Sequence, residues 1–210
     1  MHGLSCDLPG PHAHRLMSPV RPADFIMPQI DSLAAVLVII YPHQYQWTIA
    51  LIQRTCGNYP HGGEISFPGG KLEEMEESRS AALREAQEEL GLDPDSVEIV
   101  GKLSPIPTVA TRYLVQPFVC VTETRPAWHP HPREVAHILE IPVSHFLNPN
   151  NRFQEIREIN DLQVEIPFFK MANYKIWGVT AMILCELLQI ARPLFVSRKQ
   201  DSPDGEIYAT

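Results

Sequence analysis

Three glutamates, Glu85, Glu88 and Glu89, crowd into the run REAQEELGL that begins at Arg84. On an α-helix, residues three and four apart are neighbours, with Cβ atoms roughly 5–6 Å apart. At an effective dielectric of about 20, each carboxylate pair at that distance repels by roughly 3 kcal/mol before screening. A cation relieves such repulsion, and an all-oxygen cluster suits Mg²⁺ or Mn²⁺. Upstream, the Gly69-Gly70 turn lets backbone approach closely and offers carbonyl oxygens as further hard ligands. A divalent metal held there would neutralise anionic oxygens and acidify a bound water, the requirements of metal-assisted hydrolysis. The plainer reading is a solvated acidic helix face. The wider pattern decides between the two. Gly70, Glu76, Arg84, Glu85, Glu88, Glu89 and Gly91 stand in the order G-x5-E-x7-R-E-x-x-E-E-x-G, followed by hydrophobic Leu92. With each residue type at about 5–7 % of average composition, chance agreement is on the order of one in 10⁸.

The segment from Gly70 to Leu92 resembles the Nudix box, the signature of the Nudix hydrolases. It departs at Ala86, where the family usually has a larger aliphatic. The resemblance implies an α/β fold, a Nudix-type α/β/α sandwich with a mixed central sheet. It also implies Glu85, Glu88 and Glu89 as ligands of Mg²⁺ or Mn²⁺, with the Gly69 carbonyl added. Arg84 falls at the box arginine, which holds the glutamates by ion pairing, and Glu76 is a further orienting group. The general base is open between Glu85 or Glu88, acting through metal-bound water, and a glutamate outside the box. Glu134, in PREVAHILEIP, is the candidate there, because a similar P-x-E-V segment occurs in related enzymes. Glu140 is a weaker one.

The residues before the box bear on substrate. LIQRTCGNYPHGGEISFPGG, residues 51–70, resembles the segment preceding the box in coenzyme A pyrophosphatases, with Leu51, Arg54, Thr55, Gly63 and Phe67-Pro68-Gly69-Gly70 in place. IWGVTA, residues 176–181, and EVAHILEIPVSHFLNPNN, residues 134–151, resemble two later stretches of that subfamily. The implied reaction cuts coenzyme A or an acyl derivative into 3′,5′-ADP and a phosphopantetheine. Arg54, Tyr59, His61 and Phe67 are the substrate-binding candidates. Tyr59 replaces the subfamily's second arginine, and a tyrosine stacks or donates one hydrogen bond where arginine would fork onto a phosphate. That keeps ADP-ribose, NADH or a nucleoside triphosphate as alternative substrates. A non-catalytic Nudix ligand-binding module is an alternative of another class, disfavoured by the intact glutamates.

These groups need elements to carry them. The chain has 210 residues, 44 % hydrophobic and 20 % charged, enough for one core-bearing domain. Residues 1–28, rich in Pro and His, read as an extended arm. Residues 29–195 read as the catalytic domain and 196–210 as a polar tail. Residues 32–41 and 47–54 read as two antiparallel strands. Residues 78–90 read as the acidic helix, with Ala82, Ala86 and Leu90 as its buried stripe and Gly91 as its stop. Residues 97–103, 114–122 and the start of 135–147 read as strands. Residues 152–159 and 162–170 read as a hairpin turning at Asn160-Asp161, and 174–194 as one long helix. A net charge of −8 argues against nucleic acid or an anionic membrane as partner and leaves a small nucleotide substrate. Four scattered cysteines make no zinc pattern, and His129 and His131 sit in a proline-rich loop. No signal peptide or membrane span is read, so a cytoplasmic location is expected. A homodimer stays open, with the arm or residues 152–170 as contributors.

Overall fold

The computed structural model describes residues 7–20, 29–56, 62–159 and 162–197. The central sheet begins with the hairpin of β1 (Ser32–His43) and β2 (Gln46–Arg54). Gln44 and Tyr45 join the strands with positive φ at both positions, the twist that a two-residue hairpin favours. Only Ile40–His43 of β1 pair with β2; beyond them the two strands part. Into the gap run β3 (Ile65–Ser66), which pairs β2, and β4 (Gly69–Lys71), which pairs β1. The glycine turn is therefore held inside the sheet.

After β4 comes helix α2 (Ser78–Leu90), α1 being the short turn Pro11–His14 near the N-terminus. Then follow β5 (Glu98–Lys102), β6 (Ile106–Pro107) and β7 (Tyr113–Val121). β7 lies parallel to β1, while β5 and β6 pair it antiparallel. β8 (Val135–Pro142) borders β2 and leads into α3 (Val143–Leu147). A separate three-stranded sheet, in the order β11-β10-β9, is built from β9 (Arg152–Ile159), β10 (Leu162–Met171) and β11 (Tyr174–Trp177). Helix α4 (Gly178–Ser197) closes the described chain.

Alternation along β1 divides the core. Ala35, Leu37, Ile39 and Tyr41 face α2 and pack on Ala82, Ala86 and Leu90. Val38 and Ile40 face the other way, onto Ala181, Ile183, Leu184 and Leu187 of α4. The result is the expected α/β/α sandwich with a mixed sheet. The small Ala82 and Ala86 let α2 approach the sheet closely, which brings its acidic edge to the β4 turn.

Two expectations are corrected. Residues 174–194 are not one helix: Tyr174–Trp177 is a strand paired to β10, and the helix starts only at Gly178. Gly178 has φ +61, a left-handed conformation that ends the strand and that β-branched neighbours could not adopt. The first arm does not run extended over residues 7–20. Pro11–His14 is helical and buries Ala13 and His14, and Met17 beyond it sits inside the α4-side core. The Asn160-Asp161 turn lies outside the described residues, although the β9–β10 pairing on either side of it is in place. Among the described residues no helix is long and apolar enough to cross a membrane, and Cys56, Cys120 and Cys185 are free thiols.

Candidate active site

The site forms where α2 crosses the β4 turn, and two arginines organise it. Arg84, on α2, reaches back to Glu76 with two donors, Nε to Oε1 at 2.9 Å and Nη2 to Oε2 at 3.0 Å. Its Nη1 donates to Glu85 Oε1 at 2.9 Å and to Glu88 Oε2 at 3.1 Å. One guanidinium thus gathers three carboxylates, and Glu76 in turn accepts from the Glu73 amide. The fork geometry explains why arginine rather than lysine stands here.

Glu89 faces the sheet and is fully buried. Its Oε2 accepts from the Gly69 amide at 2.9 Å. Arg54, at the end of β2, places Nη1 2.9 Å from Glu89 Oε1 and donates from Nη2 to the Gly69 carbonyl at 2.6 Å. Gly69, Glu89 and Arg54 therefore form a closed triangle. The Arg54 contact is an ion pair rather than a directed hydrogen bond, so Glu89 Oε1 remains a buried oxygen without a hydrogen-bond donor. Burial pushes the Glu89 carboxyl up to about 7, against the opposing pull of Arg54 and the Gly69 amide. Glu85 is also raised, again by burial first, with Arg84 pulling the other way.

The glycines are required by space. A Cβ on Gly69, whose φ is +150, would lie 2.3 Å from the Ala35 carbonyl oxygen, and one on Gly70 would enter the Glu85 carboxylate. At the other end of α2, Gly91 takes the left-handed cap and returns its amide to the Gln87 carbonyl. The carbonyls of Glu89 and Leu90, left over by the helix, accept from His131 and His129. The loop of residues 128–134 is thereby fastened to the end of α2. Thr55 secures it further, its amide bonding to the Glu134 carbonyl and its hydroxyl to that of Arg133. Glu134 is delivered beside Arg54, half exposed, 3.5 Å from His131 Nδ1. Its charge is close enough to contribute to the raised pKa of Glu89.

Other sequence-based candidates fare differently. Phe67 is 1 % exposed and packs in the α4-side core, so it supports the turn from beneath and does not line a substrate surface. Tyr59 and His61 lie outside the described residues. Glu140 is engaged by Tyr41, Arg125 and Trp128. Burial would raise its pKa, but these donors prevail and hold it down at about 2, unsuited to a base near neutral pH. Sequence reasoning missed the Arg54 clamp. The segment flagged Arg54 as a phosphate contact, but the distance between positions 54, 69 and 89 is not encoded in any local spacing.

The donors suit a divalent cation in type: hard carboxylate and carbonyl oxygens, one of them buried and without a hydrogen bond. Among the described residues, no three acidic or imidazole side chains are gathered as a ready cage. The guanidinium of Arg84 holds Glu85 and Glu88 instead, and that of Arg54 holds Glu89.

Comparison with known proteins identifies the family and the fold. Residues 31–173 match the NUDIX domain. The uncharacterized Nudix hydrolase NudL of Klebsiella pneumoniae (strain 342) is 37 % identical over 166 residues, covering 76 % of this chain and 84 % of the relative. NudL of Photorhabdus laumondii is 33 % identical over 151 residues, covering 68 % and 76 %. Among solved structures, the Nudix hydrolase RenU of M. smegmatis superposes with a TM-score of 0.53 at 14 % identity, covering 83 % of this chain and 90 % of its own. A MutT/nudix protein of Enterococcus faecalis gives 0.52 at 15 % identity, covering 80 % and 66 %. Both structures share the fold. Members of the family generally use divalent metal ions. By this match across most of its length, the chain belongs to the NUDIX domain family and is a Nudix hydrolase.

Proposed function

We propose that this hydrolase cleaves the phosphoanhydride of coenzyme A or an acyl-coenzyme A, giving 3′,5′-ADP and phosphopantetheine or its acyl form. The observation that carries this reading is the clamp of Arg54 on Glu89 and on the Gly69 carbonyl. It joins the segment of residues 51–70, which resembles that of coenzyme A pyrophosphatases, to the acidic helix. Through Arg54, the stretch that bears on substrate touches the stretch that bears on chemistry.

In this reading Glu85, Glu88, Glu89 and the Gly69 carbonyl hold Mg²⁺ or Mn²⁺. Bound there, the cation supplies charge neutralisation at the phosphates and an acidified water. Arg84 keeps Glu76, Glu85 and Glu88 together beside the glycine turn, and loading would exchange part of its hold on Glu85 and Glu88 for the cation. Glu134, exposed at the rim, takes a proton from the attacking water as general base. Arg54, partly open to solvent, lies where a phosphate oxygen of the substrate can share its guanidinium.

The test is product analysis with Mg²⁺ or Mn²⁺ and a panel of coenzyme A, acetyl-coenzyme A, ADP-ribose, NADH and nucleoside triphosphates. The expected result is 3′,5′-ADP from coenzyme A, with a higher kcat/KM than for any other member. Turnover of another substrate without 3′,5′-ADP from coenzyme A would overturn the assignment and leave the hydrolase intact.

A further inference from the structure

Strand β9 forms one edge of the three-stranded sheet, and among the described residues no strand pairs its outer side. Edge strands are commonly blunted by charged side chains, lysine above all, by proline or by a bulge. RFQEIREI has no lysine or proline and its register with β10 is unbroken from Arg152 to Ile159, and its four charges, Arg152, Glu155, Arg157 and Glu158, alternate in sign, so they repel a like strand only in the wrong register. Ile156, at its centre, is 68 % exposed, and Phe153 is 45 % exposed.

The backbone direction at Ile156 follows from its neighbour. Ile156 stands opposite Glu165 in the ladder, yet the Glu165 carbonyl accepts from the Val20 amide at 3.0 Å. In an antiparallel ladder a residue's N–H and C=O point to the same side, alternating along the strand. Glu165 therefore points away from β9, and Ile156 points away from β10. The N–H and C=O of Ile156 face outward on the free edge, as do those of Gln154 and Glu158.

We infer that β9 pairs antiparallel with β9 of a second copy of this chain, about a two-fold axis at Ile156. In that register Ile156 exchanges both backbone hydrogen bonds with the partner's Ile156. Glu155 stands opposite the partner's Arg157, and Arg157 opposite the partner's Glu155. These two side chains already share a face within the protomer, where they form an ion pair. The exposed Ile156 side chains meet on the opposite face. The pattern is self-complementary in this register alone among its neighbours. Moving the axis by one residue sets Glu155 against the partner's Glu155, or Arg157 against the partner's Arg157, and like charges directly opposite disfavour pairing. The three-stranded sheet then becomes a continuous six-stranded sheet across the dimer.

Sedimentation velocity over a concentration series tests this, with circular dichroism and thermal unfolding on the same samples. The wild-type chain is expected to sediment as a dimer. Ile156→Pro removes the outward N–H and no bond between β9 and β10, since proline fits an edge position whose N–H faces solvent. It should raise the dimer dissociation constant about tenfold to a hundredfold with the protomer fold retained. Glu155→Arg and Arg157→Glu should each weaken the dimer, while an equimolar mixture of the two variants should associate as a heterodimer, a rescue that the ion pair within one protomer, broken in both chains, would not give. A wild-type chain that stays monomeric throughout, or a dimer that neither Ile156→Pro nor Glu155→Arg weakens, overturns the inference.

Discussion

Gly70 and Glu85 are packed so closely that a Cβ on Gly70 would lie 2.4 Å from Glu85 Oε1. The obstacle is a side-chain carboxylate, which can swing aside, rather than backbone. Gly70→Ala is therefore expected to fold but to push Glu85 out of position, lowering kcat at least about tenfold. Gly69→Ala differs, because its Cβ would meet the Ala35 carbonyl at 2.3 Å and its φ is +150. It should destabilise the protein by about 2 kcal/mol or more. Denaturant unfolding and steady-state kinetics on the pair separate the two effects; a fully active Gly70→Ala would remove Glu85 from the site.

Glu89 gives a pH signature. Its ordinary value of 4.5 is raised to about 7, chiefly by burial. A carboxyl with its folded pKa raised contributes stability below its unfolded value and loses it as pH rises through the folded value. The metal-free protein should therefore lose stability between about pH 5 and 8 from this group, and Glu89→Gln should flatten that slope. With Glu89 among the ligands, as proposed, cation binding needs its ionised form, so titrating Mn²⁺ at about pH 6 should release a proton that is absent at about pH 8.5 and absent in Glu89→Gln. Calorimetry in buffers of differing ionisation enthalpy reads this directly.

Glu134→Gln should depress kcat by about 10²–10⁴-fold if the residue is the general base, while leaving Mn²⁺ affinity unchanged. The loop itself is fixed by main-chain bonds to Glu89, Leu90 and Thr55, so the substitution leaves its placement intact. An unchanged rate would mean a surface carboxylate. Glu88→Gln should instead lower both Mn²⁺ affinity and kcat, by about tenfold or more.

Glu186 on α4 is fully buried and accepts from the Gly10 amide, from His14 and from both the amide and hydroxyl of Ser104. Those donors hold its pKa below the ordinary carboxyl range although burial pushes it upward. Glu186→Ala leaves several buried donors without an acceptor and should cost about 3 kcal/mol. It should also release residues 7–20, read as new proteolysis at the exposed Arg15.

Local patterns settled a large part of this protein. The limits of α2, its buried Ala82-Ala86-Leu90 stripe and its Gly91 cap follow from helix periodicity and cap chemistry, and the folded helix has those same limits. The strands read at 32–41 and 47–54 were legible because their apolar runs are long and broken by a turn, and in the fold they extend to His43 and begin at Gln46. The same run-based reasoning failed at residues 174–177, where an apolar stretch fits a buried strand as well as a helix, and only pairing with β10 decides between them. It failed again at Phe67, whose place beside the glycines in sequence does not say which face of the sheet its ring enters. Residue types and spacing determined that Glu85, Glu88 and Glu89 share one end of a helix and which chemistry they suit. Tertiary structure alone decided that Glu89 turns inward to Gly69 while Glu85 and Glu88 turn to Arg84. It also decided that Arg54 and the 128–134 loop close the site, because those contacts depend on how β1 and β2 part around the β4 turn.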